Sequence, residues 1–329
     1  MHSAPFTDLV DVAAERLGGA VMLANDEFFA PKENLLKAAR PEWREHEYTD
    51  RGKWMDGWET RRRRSPGHDW CLIRLGVRAR LHGVVVDTSF FRGNYPEHCS
   101  LDACDVPGVP DPESLAASAA WVELLPRSPL EGHHANSFPV LPDRPATHLR
   151  FSIHPDGGVA RLRVYGEPAP DPRLVPGTSA DLAALESGGM VVACSDMFFG
   201  HRHNLILPGR STHMGDGWET RRRRGPGHDW IVVRLAARGM IAEVEVDTDH
   251  FKGNAPASCS VEVCDIGRDA ETSALVHAQW APLLGQTLLQ PDARHRFATA
   301  GSPAATHARL NIFPDGGIAR LRLVGTVST

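Results

Sequence analysis

Two polar blocks hold the residues best suited to chemistry. Asp56–Trp70 reads DGWETRRRRSPGHDW, and Asp216–Trp230 repeats it with a single change, Ser65 to Gly225. Each block packs carboxylates, four consecutive arginines and a histidine around two tryptophans. The candidate proton carriers are Asp56, Glu59 and His68, with Asp216, Glu219 and His228 in the second block. An imidazole titrates near neutrality and serves general acid/base chemistry, as do carboxylates tuned by their surroundings. A guanidinium pair can clamp a carboxylate in bidentate fashion, so Arg61, Arg62, Arg221 and Arg222 are the expected anion contacts. Asn94 and Asn254 sit in turns of matching sequence (DT..F.GN) and offer amide donors and acceptors to a urea-like ligand. Arg161 and Arg320, in the ARLR segment after each PDGG turn, are expected to face outward and line a cleft.

Other chemistries find no support. The chain lacks GxGxxG after a strand, a Walker loop, HExxH, GxSxG and zinc-type cysteine spacing. His201-x-His203 and His133-His134 lie in the poorly matched parts, so no metal or other cofactor is expected. The two C-x₄-C pairs, Cys99/Cys104 and Cys259/Cys264, lie in strand-like runs, where residues five apart face opposite sides. All six cysteines are therefore expected to be free thiols, as suits a cytoplasmic protein.

The polar blocks belong to a longer internal repeat. Asp87–Asp105 matches Asp247–Asp265, and Thr147–Gly166 matches Thr306–Gly325, at offsets near 160 residues. Upstream, Gly18–Phe29 aligns with Gly188–Phe199, so the first copy carries about ten extra residues between Asn34 and Asp56. A unit of this size is a duplicated domain rather than a solenoid repeat. The expected division is a first module over 1–166, a proline-rich connector over 167–180 and a second module over 181–329.

Each copy reads as strands: Trp70–Leu75, Leu81–Thr88 and Ser100–Val106 are short, apolar and bounded by turn residues. Apolar residues alternate at Leu149, Phe151 and Ile153 and again at Ala160, Leu162 and Val164. With Pro155-Asp156-Gly157-Gly158 between them, the pattern predicts a hairpin packed on one face. Helix candidates are confined to Asp11–Leu17, Asp181–Glu186 and Ser114–Ala120. The expected fold is all-β: an antiparallel sandwich or jelly roll in each copy, two in tandem from internal duplication.

The net charge of −5 argues against gripping nucleic acid, and no apolar run approaches the roughly 20 residues that span a bilayer. The first 20 residues lack the pattern of a signal peptide.

At DGWETRRRR…GHDW, DT…F.GN and PDGG.ARLR, all present twice, the sequence resembles the allantoicase family, over Gly18 to Gly325. The resemblance implies two tandem jelly-roll β-sandwich modules of the galactose-binding-like kind and a soluble, oligomeric enzyme of purine breakdown that hydrolyses allantoate to ureidoglycolate and urea. It assigns no catalytic roles to single residues. The residue types suit that substrate, which has one carboxylate and two ureido arms on one carbon. Two other readings fit the same features: non-catalytic, lectin-like binding modules, and a ureidoglycolate-cleaving lyase. One difference between the copies bears on which is active: His154 before the first PDGG is Phe313 before the second.

Overall fold

The computed structural model describes residues 5–118, 121–141 and 144–329. The chain forms two compact units, Met1–Glu167 and Pro168–Thr329. Both are β-sandwiches of the same design, built around one strand of unusual length.

In the first unit that strand runs over Asp69–Asp87, without the break expected between Leu75 and Leu81. Its N-terminal half pairs with Ala20–Ala24 and with Pro145–His154, which in turn pairs with His98–Cys104. Its C-terminal half pairs with Ala135–Pro139 and borders Arg161–Pro168, whose far edge takes Val10–Asp11. A register irregularity between Arg74 and Ala79 marks the bend where the strand passes from one layer to the other. The second unit repeats this with Asp229–Asp247.

The segments flanking Pro155–Gly158 do not form the expected hairpin. The long strand lies between Pro145–His154 and Arg161–Pro168, so the chain crosses from one layer to the other at the PDGG turn. Turn residues dictate a reversal; they do not dictate that the two arms pair. The helix candidates also shrink. Asp11–Leu17 and Asp181–Glu186 yield only 3-10 turns at Glu15–Leu17 and Leu185–Ser187. The third becomes an α-helix at Pro112–Ala116, capped by Asp111, whose side chain accepts the Ser114 N–H at 2.9 Å; Ala119 and Ala120 lie outside the described residues.

The interior follows the alternation. Ile73, Val84, Leu149, Phe151, Ile153, Leu162 and Val164 are fully buried. Leu115 closes a smaller cluster over Leu72 and Cys104 on the outer face of one layer. Cys104 therefore faces away from Cys99, and all six cysteines are free, five of them buried. Burial pushes the Cys99 thiol up to about 12 and that of Cys104 to about 11.

Trp58 and Trp218 are the largest fully buried side chains, and each indole N–H donates to a loop carbonyl, Asp26 or Asp196, at 2.8 Å. Burying an aromatic of this size removes about 150–250 Å² from water, an upper bound of roughly 4–6 kcal/mol each. The same short strands, Trp58–Glu59 and Trp218–Glu219, carry the next residue of the candidate site.

Candidate functional site

Glu59 is placed by a two-residue ladder in which Trp58–Glu59 pairs with Gly158–Val159. Gly158 must be glycine, because a Cβ there would lie 1.9 Å from the Phe91 ring. Its N–H donates to the Asn94 carbonyl at 2.8 Å, which fixes the turn carrying Asn94. The Asn94 side-chain amide then donates to Glu59 Oε1 at 2.7 Å. The second unit repeats every part: Gly317 N–H to the Asn254 carbonyl at 2.9 Å, and the Asn254 amide to Glu219 Oε1 at 2.6 Å.

Burial raises the Glu59 pKa above the usual carboxylate range, and the bond from Asn94 offsets only part of this. No cation among the described residues pairs with Glu59. A half-buried carboxyl whose pKa desolvation raises, and which an amide orients, is suited to donating and recovering a proton. Replacing Gly158 with Ala is expected to displace Phe91 and the Asn94 turn together. The first unit's unfolding temperature should fall, and the Glu59–Asn94 contact should be lost, as read by calorimetry and by the Asn94 amide resonance.

Asp56 and Arg161 are brought together, but not on an open face. The alternation does point Arg161 away from the interior. That outer face is covered by the 3-10 segment Lys32–Leu36 and the loop after it, so Arg161 is 1% exposed rather than outward-facing. Its guanidinium donates to Asp56 Oδ2 at 2.7 Å, to the Asp56 carbonyl at 3.0 Å and to the Ala39 carbonyl at 3.0 Å. Arg320 and Asp216 repeat the pair at 3.0 Å, and Arg320 is likewise buried. Burial alone would raise the Asp56 carboxyl, yet Arg161, the Glu42 N–H and Lys37 together hold it below its ordinary value. Asp56 therefore stays a carboxylate locked to a scaffold cation, a poor shuttle for protons.

The arginine run lies in a loop after the short strand and finds partners at alternate positions. Arg61 binds Asp26 at 2.6 Å and lies over the Phe28 ring at 5.2 Å; Arg221 binds Asp196 at 3.1 Å and covers Phe198. Arg63 donates to Asp69 at 2.6 Å. Between them, Arg62 and Arg222 are exposed. Sequence reasoning missed Asp26 and Asp196, although both lie in the matched Gly18–Phe29 and Gly188–Phe199 blocks.

His68 lies elsewhere in the unit, at a polar cavity of about 540 Å³ lined in part by Arg63, Ser100, Asp102, Arg150, Ser152 and His154. Its ring packs on His154 with centroids 4.6 Å apart. Burial lowers its pKa, reinforced by Arg150 and Arg63. His154 is pushed down to about 4 by burial, with His68, Arg127 and His98 adding repulsion. In the second unit His228 packs at the same 4.6 Å on Phe313.

A histidine with a depressed folded pKa binds its proton more readily in the unfolded chain. Its contribution is present above about pH 6.5 and is lost as pH falls toward 4. His154→Phe, the residue of the second copy, is expected to flatten the acid-induced fall in unfolding temperature over that window. Unfolding scans from pH 7 to pH 4 read the effect.

Of the other histidine pairs, His201 and His203 pack ring to ring at 5.1 Å, and His133 Nδ1 accepts the Phe90 N–H at 2.8 Å. Among the described residues no group of three or more His, Cys, Asp or Glu is arranged to hold a metal ion, and no helix is long and apolar enough to cross a membrane.

Fold and site together define a duplicated jelly-roll protein with one carboxyl–amide pair per module. The model of the allantoicase repeat matches residues 10–169 and again 180–328. A probable allantoicase of Streptomyces avermitilis is 48% identical, covering 98% of this chain and 87% of its own. The allantoicase of Dictyostelium discoideum is 44% identical over 96% of this chain and 87% of its own. The crystal structure of the Saccharomyces cerevisiae allantoicase superposes with a TM-score of 0.77 at 36% identity, over 96% of this chain and 92% of that one. The chain belongs to the allantoicase family.

Proposed function

We propose that this protein is an allantoicase, which adds water to allantoate and releases ureidoglycolate and urea. Its close relatives carry that name over nearly their whole length, and the carboxyl–amide pairs Glu59–Asn94 and Glu219–Asn254 give the reaction its acid and base.

The reacting carbon of allantoate bears two ureido nitrogens. Protonated Glu59 gives its proton to the leaving nitrogen as that C–N bond breaks. The lone pair of the other ureido nitrogen forms a C=N bond, and urea departs. Water then attacks the iminium carbon and returns a proton to the Glu59 carboxylate, so the acid is regenerated and the atoms balance. Such transfers contribute about 10²–10⁴-fold each, without need of a metal. Asn94 holds one carboxyl oxygen, which orients the proton. Arg62, exposed beside the pinned Arg61, is the cation proposed for the substrate carboxylate, with Arg222 its counterpart. Asp56 and Asp216 serve as the anchors of Arg161 and Arg320, and His68 and His228 lie outside the proton path.

The same reading takes residues 1–166 and 181–329 as the modules, 167–180 as their connector, a homo-oligomer as the working form and the cytoplasm as its location. The direct test is incubation with allantoate, with and without chelator, assaying urea and ureidoglycolate. Both products in equal amounts are expected with chelator present; allantoate left intact would overturn the proposal. Because the acid form of Glu59 starts the reaction, kcat/KM is expected to fall as pH rises through its raised pKa.

A further inference from the structure

The two modules differ inside the cavity that His68 borders, and the second shows what fills the space. There Asn311 replaces Ser152, and its side-chain amide is buried among three partners. Its Oδ1 lies 3.2 Å from His228 Nε2, and its Nδ2 donates to Ser260 Oγ at 3.2 Å and to Glu262 Oε2 at 2.9 Å. All three partners have equivalents in the first unit: His68, Ser100 and Asp102. The strand register is the same, Ser152 opposite Ser100 and Asn311 opposite Ser260. The imidazole is also presented alike, because His154 and Phe313 each pack on it at 4.6 Å with similar ring tilt.

Serine carries a small hydroxyl where asparagine carries a carboxamide, and Asp102 is shorter than Glu262 by one methylene. The first unit thus keeps the partners of a primary amide and leaves out the amide. We propose that this cavity is a binding site for an external primary amide of the ureido class. Its C=O would accept from His68, and its NH₂ would donate to Asp102 and Ser100. The inference does not depend on the role given to Glu59.

Charge supports a neutral ligand over an anion. Arg150 is committed to Asp102 at 2.8 Å and Arg63 to Asp69 at 2.6 Å, so both lining guanidiniums are already matched by carboxylates. Burial and these same arginines lower the His68 pKa, which disfavours a charged imidazole in the cavity. The cavity volume exceeds what one amide needs, so a ureido group attached to a longer molecule also fits.

The test follows the His68 ring proton resonance, assigned by its loss in His68→Gln, during titration with urea, ureidoglycolate and glycolate. Urea is kept far below unfolding concentrations. A saturable shift is expected with a ureido ligand and none with glycolate, which has the carboxylate but no amide. Ser152→Asn should fill the site from within and weaken binding about tenfold or more. Asn311→Ser, which empties the second cavity, should create a new saturable shift at His228. A response to both urea and ureidoglycolate assigns free urea as a ligand; a response to ureidoglycolate alone assigns the ureido arm of a larger molecule. Equal shifts with glycolate, no shift with either ureido ligand, or an unaltered titration in Ser152→Asn would overturn the proposal.

Discussion

Replacing Glu59 and Glu219 together with glutamine is expected to lower kcat for urea release by about 10²–10⁴-fold, the usual contribution of a positioned proton carrier. Glutamine keeps the oxygen that accepts from Asn94 or Asn254, so the ladder and turn stay in place and only the transferable proton is lost. Unfolding temperature should therefore change little, which separates loss of chemistry from loss of structure. The alkaline limb of the pH–rate profile should vanish with the carboxyl. The single variants then show which module works: burial lifts Glu59 toward a useful acid, so Glu59→Gln is expected to carry most of the loss. A double variant with wild-type kcat would remove both glutamates from the mechanism.

The second large effect is on stability. Arg161→Met leaves Asp56 buried, 7% exposed, with its principal countercharge gone. Breaking a buried ion pair on one side costs about 3–5 kcal/mol. For a unit of this size that is a fall of roughly 10 °C in unfolding temperature, at about 2–4 °C per kcal/mol. Adding Asp56→Asn should restore part of the loss, because no uncompensated charge then remains. The kcat of the protein still folded should stay near that of the wild type. A stable Arg161→Met enzyme with a greatly raised KM would instead return Arg161 to the substrate contacts.

These two cases show how far the residues alone can be read. The duplication and the sandwich class were legible because near-identity at a fixed offset and period-two alternation are local patterns. The path of the strands was not. Nothing in Pro155–Gly158 shows that Asp69–Asp87 lies between its two arms, and the arginine-rich stretch Val77–Arg80 resembles a boundary although it lies at a bend within one strand. For Arg161 the alternation gave the correct side, but the cover over that side comes from Lys32–Ala39, more than 120 residues away. Glu59 and Asn94 were both candidates; their pairing depends on a glycine contact across Phe91 that no spacing rule encodes. His68 shared a block with Glu59 in sequence yet borders a separate cavity, because the intervening arginines anchor to different carboxylates.

The strand Asp69–Asp87 has a mechanical consequence. Being common to both layers, it acts as a continuous beam, and neither layer can peel away without disturbing hydrogen bonds in the other. Amide protons along it, and along Asp229–Asp247, should exchange with deuterium only through whole-unit opening, as one cooperative block. The turns bearing Asn94 and His68, which adjoin the two ends of Asp69–Asp87, are then anchored to a frame that opens only as a whole.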